Sequence, residues 1–142
     1  MFNVKIVETI KEHDDAFAVR KKVFVEEQGV PLHLECDAED ARATHFIMYE
    51  DTEPVGAARL RGIESDTAKI ERVCILQTQR GKRLGALIMQ EMEKHAISTN
   101  NKKLKLHAQS YAVPFYEKLG YTVTSPEFMD AGIPHRAMEK NI

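Results

Sequence analysis

The chain has 142 residues, of which 43% are hydrophobic and 30% are charged, and its formal net charge at pH 7 is −2. This length and composition are typical of a globular protein with one core, so we expect a single domain spanning residues 1–142. The slightly acidic balance excludes a general attraction to nucleic acid or to anionic membranes, and any affinity for phosphate must be local. The apolar runs are too short for a transmembrane helix, and residues 1–6 lack the apolar core of a secretory signal. We expect a cytoplasmic protein that contacts neither membrane nor nucleic acid.

Cys36 and Cys74 are isolated in the sequence. Neither belongs to a Cys-x-x-Cys pair, and no two histidines have the spacing of a metal-binding motif. We therefore expect no disulfide framework and no metal site.

The first half of the chain contains one helix among several strands. Alternating apolar and polar residues over 2–8 predict a short edge strand. Thr9 and Glu12 have the spacing of a capping box, which predicts a helix from there to about Val25. Three further strands are predicted to form an antiparallel meander: 45–49, 55–61 and 69–76.

The second half is predicted to alternate between helices and strands. A long surface helix runs from Arg83 to about Thr99, and a short one covers 112–119. The apolar stripe of the long helix, which we expect to be buried, consists of Leu84, Leu87, Ile88, Met92, His95 and Ala96. The remaining predicted strands are 104–108, 121–124 and 133–139, with a loop between the last two. The pattern predicts an α+β fold with a mixed sheet.

The residues between the third meander strand and the long helix have the features of an anion-binding loop. Arg80, Lys82 and Arg83 supply three cations, and Gly81 and Gly85 lie beside them. The first turn of a helix has N–H groups without internal partners, and glycine lets a phosphate approach the backbone. The loop does not fit a Walker motif, which needs Gly-Lys-Ser/Thr, or a dinucleotide fingerprint, which needs a third glycine and a later acid.

Residues 80–85, Arg-Gly-Lys-Arg-Leu-Gly, resemble the pyrophosphate loop of the GNAT superfamily of acyl-CoA-dependent N-acyltransferases. One departure is that Arg83 stands where that family usually has its first glycine. Residues 113–121, Val-Pro-Phe-Tyr-Glu-Lys-Leu-Gly-Tyr, are similar to the C-terminal segment of the same family. The resemblance covers essentially the whole chain. Residues 23–31 and 130–135 are similar to small bacterial GNAT proteins of a poorly defined acetyltransferase group.

The resemblance implies a mostly antiparallel sheet flanked by helices, in which strands 4 and 5 splay apart and admit the pantetheine of acetyl-CoA. It assigns backbone contacts with pantetheine to Val73 and Ile75, and further contacts to Gln109 and Ser110. The residues that it assigns to the pyrophosphate are Gln79, Arg80, Gly81, Lys82, Arg83, Leu84, Gly85 and Ala86.

Acyl transfer needs an acid for the departing thiolate and a base for the attacking amine. Tyr116 matches the position of the general acid in many family members. Glu71 is our candidate base, although pairing of its carboxylate with Arg59 or Lys69 across the sheet is an equally good interpretation. His33, His45, His107 and His135 compete for acceptor-site roles, with Glu26, Gln28 and Arg59 as further candidates.

The predicted function is transfer of an acetyl group from acetyl-CoA to a primary amine of a small molecule, by direct attack in a ternary complex. No cysteine lies beside a candidate histidine base, which disfavours an acyl-enzyme. The alternative is a non-catalytic module that senses acyl-CoA. A nucleic-acid binder is disfavoured by the acidic net charge.

We expect the acceptor site to come from the loops at 26–43 and 125–134. We also expect a homodimer, which would cover the free edges of so small a sheet.

Overall fold

The computed structural model describes residues 1–142, and its sheet is flanked on both faces by helices. A π-helical segment, Lys21–Glu27, continues the first helix, and short 3₁₀ turns connect several other elements. The strands are β1 (Phe2–Ile6), β2 (Thr44–Glu50), β3 (Glu53–Glu64), β4 (Thr67–Ile75), β5 (Lys103–Gln109), β6 (Thr122–Val123), β7 (Phe128–Asp130) and β8 (Ile133–Asn141). The helices are α1 (Ile10–Arg20), α2 (Leu32–Glu35), α3 (Leu84–Ser98) and α4 (Val113–Lys118).

The strands form one mixed sheet in the order β1-β2-β3-β4-β5-β8-β6, with β7 paired to β8. Every pairing is antiparallel except that of β4 with β5. This confirms the predicted α+β class, the antiparallel meander of β2, β3 and β4, and the position of β1 at an edge. None of the helices combines the length and the apolar character needed to cross a membrane.

The parallel pair β4–β5 separates after four residues. The last paired residues are Ile70 on β4 and Leu106 on β5, and the strands have no pairing with each other beyond that point. In addition, β4 carries one extra residue relative to β3, a β-bulge at which Arg72 has a φ of +59°. The splay and the bulge leave part of the β4 backbone facing an open cleft, because bulges locally end pairing and redirect side chains.

Two apolar clusters pack on opposite faces of the sheet. Seventeen buried residues form the larger cluster between α3 and the central strands. The smaller cluster has six buried residues, among them Val19 and Val23, beneath α1 and the π-helical segment. The face beneath α1 also carries charged side chains of β3 and β4, and these reach the cleft.

Three details differ from the predictions. The first helix begins with the predicted capping box at Thr9 and Glu12, but its α-helical part ends at Arg20 before the wider π-helical turns. The predicted buried stripe of α3 includes Leu87 and omits Met89. In the structure, Leu87 is 41% exposed and Met89 is 3% exposed, because the buried side of the helix is the one that carries Met89. Finally, β7 lies within residues that the sequence predicts to be a loop. It forms a hairpin with β8 through Ala131 and Gly132, whose φ angles of +51° and +77° suit a two-residue turn.

Candidate active site

The splay between β4 and β5 opens a cleft of about 1070 Å³. Its walls come from both strands, the loop before α3, α4 and the π-helical segment. The predicted site residues that line it are Glu71, Val73, Ile75, Gln79, Arg80, Gly81, Arg83, Leu84, Gly85, Ala86, Gln109 and Tyr116. Ser110 does not line it, and neither does Lys82. Its ammonium contacts the Gln79 side-chain oxygen at 2.7 Å and lies 5.7 Å from the ring centre of Phe2.

One end of the cleft is the N-terminus of α3. The N-cap residue, Arg83, makes no side-chain hydrogen bond to the first turn, so the N–H groups there have no capping side chain. Free N–H groups at the positive end of a 15-residue helix attract an anion. Arg83 adds a cation that has no ion-pair partner in the protein, and Arg80 adds a second cation to this end.

The loop reaches this geometry through two left-handed residues, Gly81 with a φ of +85° and Arg83 with a φ of +61°. Glycine adopts such angles without strain, whereas arginine does so at a cost. The left-handed conformation of residue 83 explains why the family usually has a glycine at this position. Arg83 adopts that same left-handed conformation, so the backbone of the loop is unchanged by the arginine.

The Arg80 guanidinium donates hydrogen bonds to two different segments of the chain. Its Nε donates to the carbonyl oxygen of Ile75 at 3.1 Å, and its two terminal nitrogens donate to the carboxylate of Glu27 at 2.6 and 2.8 Å. This pairing lowers the pKa of Glu27. The contact joins the loop to the π-helical segment, and no pattern in the sequence predicted it.

Tyr116 lies on α4 with its half-buried side chain in the cleft. The ring packs edge-to-face against Phe115 and Tyr121, at centroid distances of 4.9 and 6.0 Å. Its hydroxyl makes no hydrogen bond to another protein group, and burial raises the pKa of the phenol. A phenol in this state keeps its proton at neutral pH and can donate it to a group bound in the cleft.

Glu71 is surrounded by cations. Its carboxylate accepts from Arg59 Nε at 3.0 Å and from Arg61 Nε at 2.7 Å, and the Lys69 ammonium lies 3.4 Å away. Burial alone would raise its pKa, but the guanidinium hydrogen bonds outweigh burial and lower the pKa from 4.5 to about 2. Such a carboxylate is a weaker base than an ordinary glutamate. This is the ion-paired arrangement that the sequence left open as the alternative.

Glu71 belongs to a buried ionic network at the end of the cleft opposite α3. Arg20 and Arg59 are 0% and 1% exposed, and both donate to Asp40 Oδ1 at 2.8 Å. The other members are Glu35, Asp37, Glu39, Arg61, Lys69 and Arg72. Only Arg59, Lys69 and Glu71 were singled out from the sequence, because the network joins residues far apart in the chain.

Of the four candidate histidines, the structure brings His107 and His135 to the cleft. His107 is the first β5 residue past the splay, and it meets the ring of Phe128 edge-on at 5.1 Å. Partial desolvation of the ring, followed by the charge of Lys69, lowers the pKa of His107 and favours its neutral imidazole at pH 7. His45 is buried with Nε2 2.8 Å from the Asp40 carbonyl oxygen, and His33 is exposed outside the cleft.

Neither cysteine is an activated nucleophile. Cys74 is buried, and burial raises the pKa of its thiol to about 12. Cys36 does not line the cleft, and its thiol pKa is also raised by burial. Reactive cysteines have the opposite property, a lowered pKa in an accessible position.

The fold and the cleft define an acetyltransferase architecture. The crystal structure of a candidate N-acetyltransferase from Lactobacillus plantarum superimposes with a TM-score of 0.92, at 26% identity over 99% of this chain and 97% of that one. A Bacillus subtilis acetyltransferase solved in complex with CoA has the same fold, with a TM-score of 0.77 and 11% identity over 100% and 99% of the two chains.

Sequence comparison defines the family. The profile described as "Acetyltransferase (GNAT) domain" matches residues 9–142. YjcF of Bacillus subtilis, an uncharacterized N-acetyltransferase, is 44% identical over 128 residues, which cover 89% of this chain and 91% of that protein. The chain belongs to the GNAT family and is an enzyme of the acetyltransferase class.

Proposed function

We propose that this protein transfers an acetyl group from acetyl-CoA to a primary amine of a small molecule. The observation that carries the proposal is the cleft itself, which has an uncapped, cationic helix N-terminus at one end and the free Tyr116 hydroxyl inside it. The CoA complex of the structural neighbour from Bacillus subtilis supports the choice of cofactor.

In this proposal the diphosphate of the cofactor binds Arg80, Arg83 and the N–H groups at the start of α3. Val73, Ile75 and Gln109 border the splay, where the pantetheine amides need hydrogen-bond partners. The cofactor supplies a thioester, which brings both the acyl group and a thiolate leaving group. Because neither cysteine is activated, the amine attacks the thioester directly within a ternary complex.

In this proposal, two residues of the cleft carry out the proton transfers. Tyr116, which carries its proton at neutral pH, donates that proton to the departing thiolate. His107 faces the cleft and its lowered pKa favours the neutral imidazole at pH 7, so we assign to it the removal of the amine proton, directly or through water. Glu71 keeps its three cations in place and, with a pKa of about 2, does not take that proton.

The cofactor half of the proposal is tested by thermal unfolding with acetyl-CoA. At about 100 times the dissociation constant, binding stabilises the wild type by roughly 2.7 kcal/mol, a rise of several degrees. We expect Arg80→Ala to reduce this rise and Lys82→Ala, in the same loop but outside the cleft, to leave it largely unchanged. Absence of any rise with millimolar acetyl-CoA would contradict cofactor binding.

Catalysis is tested by thiol release from acetyl-CoA across a panel of primary amines. We expect amine-dependent release that falls about 100-fold or more in Tyr116→Phe, with acetyl-CoA affinity unchanged. Tyr49→Phe, which alters a tyrosine outside the cleft, is the control. Binding of acetyl-CoA with no amine-dependent release from any compound would favour the sensing module instead.

A further inference from the structure

Two consecutive residues contact opposite sides of the open end of the cleft. The carboxylate of Glu27 accepts both terminal nitrogens of Arg80, at 2.6 and 2.8 Å, on the loop that follows β4. The side chain of Gln28 accepts from Gln109 Nε2 at 2.8 Å and donates to Gln109 Oε1 at 3.4 Å, at the end of β5. Together, Glu27 and Gln28 span the gap between the two splayed strands.

The backbone that carries this pair is irregular but well held. Glu27 is the last residue of the π-helical segment, and the N–H of Gln28 donates to the Val23 carbonyl oxygen at 3.0 Å. Gly29 follows with a φ of +74°, a left-handed conformation that turns the chain at once. Wide helical turns of this kind are frequent at functional sites.

The two residues present to the cleft the same chemical groups as the proposed cofactor. Glu27 offers an anion to Arg80, where the proposal places the diphosphate, and Gln28 offers an amide to Gln109, where it places pantetheine. A bound cofactor therefore competes with Glu27 for the Arg80 guanidinium and with Gln28 for the Gln109 amide.

We propose that Glu27 and Gln28 form a clasp across the cofactor cleft of the free protein, and that acyl-CoA must displace it to bind. This inference rests on the proposed function of the cleft. The clasp lowers the apparent affinity for cofactor, because only the opened fraction of molecules is competent to bind. It also connects the cofactor to the loop at 26–43, so that cofactor binding releases a segment that we expect to contribute to the acceptor site.

The test is isothermal titration calorimetry with CoA on wild type, Glu27→Gln and the matched control Glu26→Gln. Glu26 is exposed and has no ion-pair partner, so its substitution removes the same charge one residue earlier without touching Arg80. We expect Glu27→Gln to bind CoA roughly threefold to fivefold more tightly, as expected for loss of one partly exposed ion pair. Glu26→Gln should remain close to wild type.

A double-mutant cycle separates the clasp from a general charge effect. In an Arg80→Ala background, Glu27→Gln should no longer tighten CoA binding, because the competition for Arg80 is gone. An equal gain from Glu26→Gln, a gain that persists without Arg80, or no gain at all would overturn the clasp while leaving CoA binding intact. Failure of the wild type and of every variant to bind CoA would instead overturn the proposed function, and the clasp with it.

Discussion

At the scale of single residues, Arg83 combines two properties that oppose each other. Its left-handed backbone, with a φ of +61°, costs about 1 kcal/mol for a residue with a Cβ. Its guanidinium lies at the cleft without an ion-pair partner, where an anionic ligand would use it. The strain is therefore best explained by binding, since glycine would give the same loop without it.

We predict that Arg83→Gly raises stability and weakens cofactor binding. Relief of strain should raise the free energy of unfolding by about 1 kcal/mol, or about 3 °C in melting temperature. Loss of the cation should weaken CoA binding several-fold, as measured by calorimetry on the same protein. Lys82→Gly is the matched control, because Lys82 does not have a positive φ and glycine there should lower stability. A less stable Arg83→Gly protein would contradict the argument.

At the scale of elements, the position of Tyr116 depends on how closely α4 packs against α3. A Cβ on Gly85 would lie 3.1 Å from Cζ of Phe115, the residue next to Tyr116. This second glycine of the loop motif is helical and has no positive φ, so close packing is the reason for it. Gly85 thereby sets the distance between α3, whose N-terminus forms the anion site, and α4, which carries Tyr116.

We predict that Gly85→Ala destabilises the protein and impairs turnover. The better helix propensity of alanine is worth up to about 1 kcal/mol, but overpacking against Phe115 costs about 1–3 kcal/mol. We expect a net loss of about 1 kcal/mol in urea unfolding, and a lower kcat with the best amine of the panel. Gly62→Ala is the control, because a Cβ there meets nothing within 4 Å. Unchanged stability and kcat in Gly85→Ala would show that the contact is unimportant.

At the scale of the whole molecule, the ionic network joins α1, α2 with the segment after it, and strands β3 and β4 beneath one end of the cleft. Arg20 donates to Glu35 at 2.6 Å and Arg59 donates to Asp37 at 2.7 Å, across sequence separations of 15 and 22 residues. The guanidinium contacts hold the pKa values of Glu71 and Asp40 at about 2. Buried arginines without these carboxylates would be uncompensated charges, so the network holds the α1 side of the protein to the sheet.

We predict that stability falls steeply between about pH 4.5 and pH 2. Because both carboxylates have lower pKa values folded than unfolded, their contribution is complete above about pH 5 and disappears as the pH approaches 2. The contribution is on the order of 2–3 kcal/mol for each group. In urea unfolding, Glu71→Gln should be less stable than wild type at pH 7 and equal to it near pH 2, whereas Glu26→Gln should follow wild type throughout. A constant deficit of Glu71→Gln at all pH values would contradict this linkage.

The sequence by itself determined the elements that depend on neighbouring residues. The capping box at Thr9, the β2–β3 hairpin, the loop at 80–85 and the segment at 113–121 are local patterns, and each appears in the structure close to its predicted place. Short motifs work because a turn, a cap or a helix start is set by interactions within a few residues. The family resemblance rested on two such motifs, and the family comparison confirmed it.

Only the tertiary structure decided what the charged residues do. The sequence could not choose between Glu71 as a base and Glu71 as an ion-pair partner, because that depends on how many cations the fold places around it. The Gln28–Gln109 contact joins residues 81 apart, and Glu27 meets Arg80 across 53 positions. Such pairs leave no periodic or local signal. They form because the sheet splays at Ile70 and Leu106 and so brings distant loops to one cleft, which only long-range packing determines.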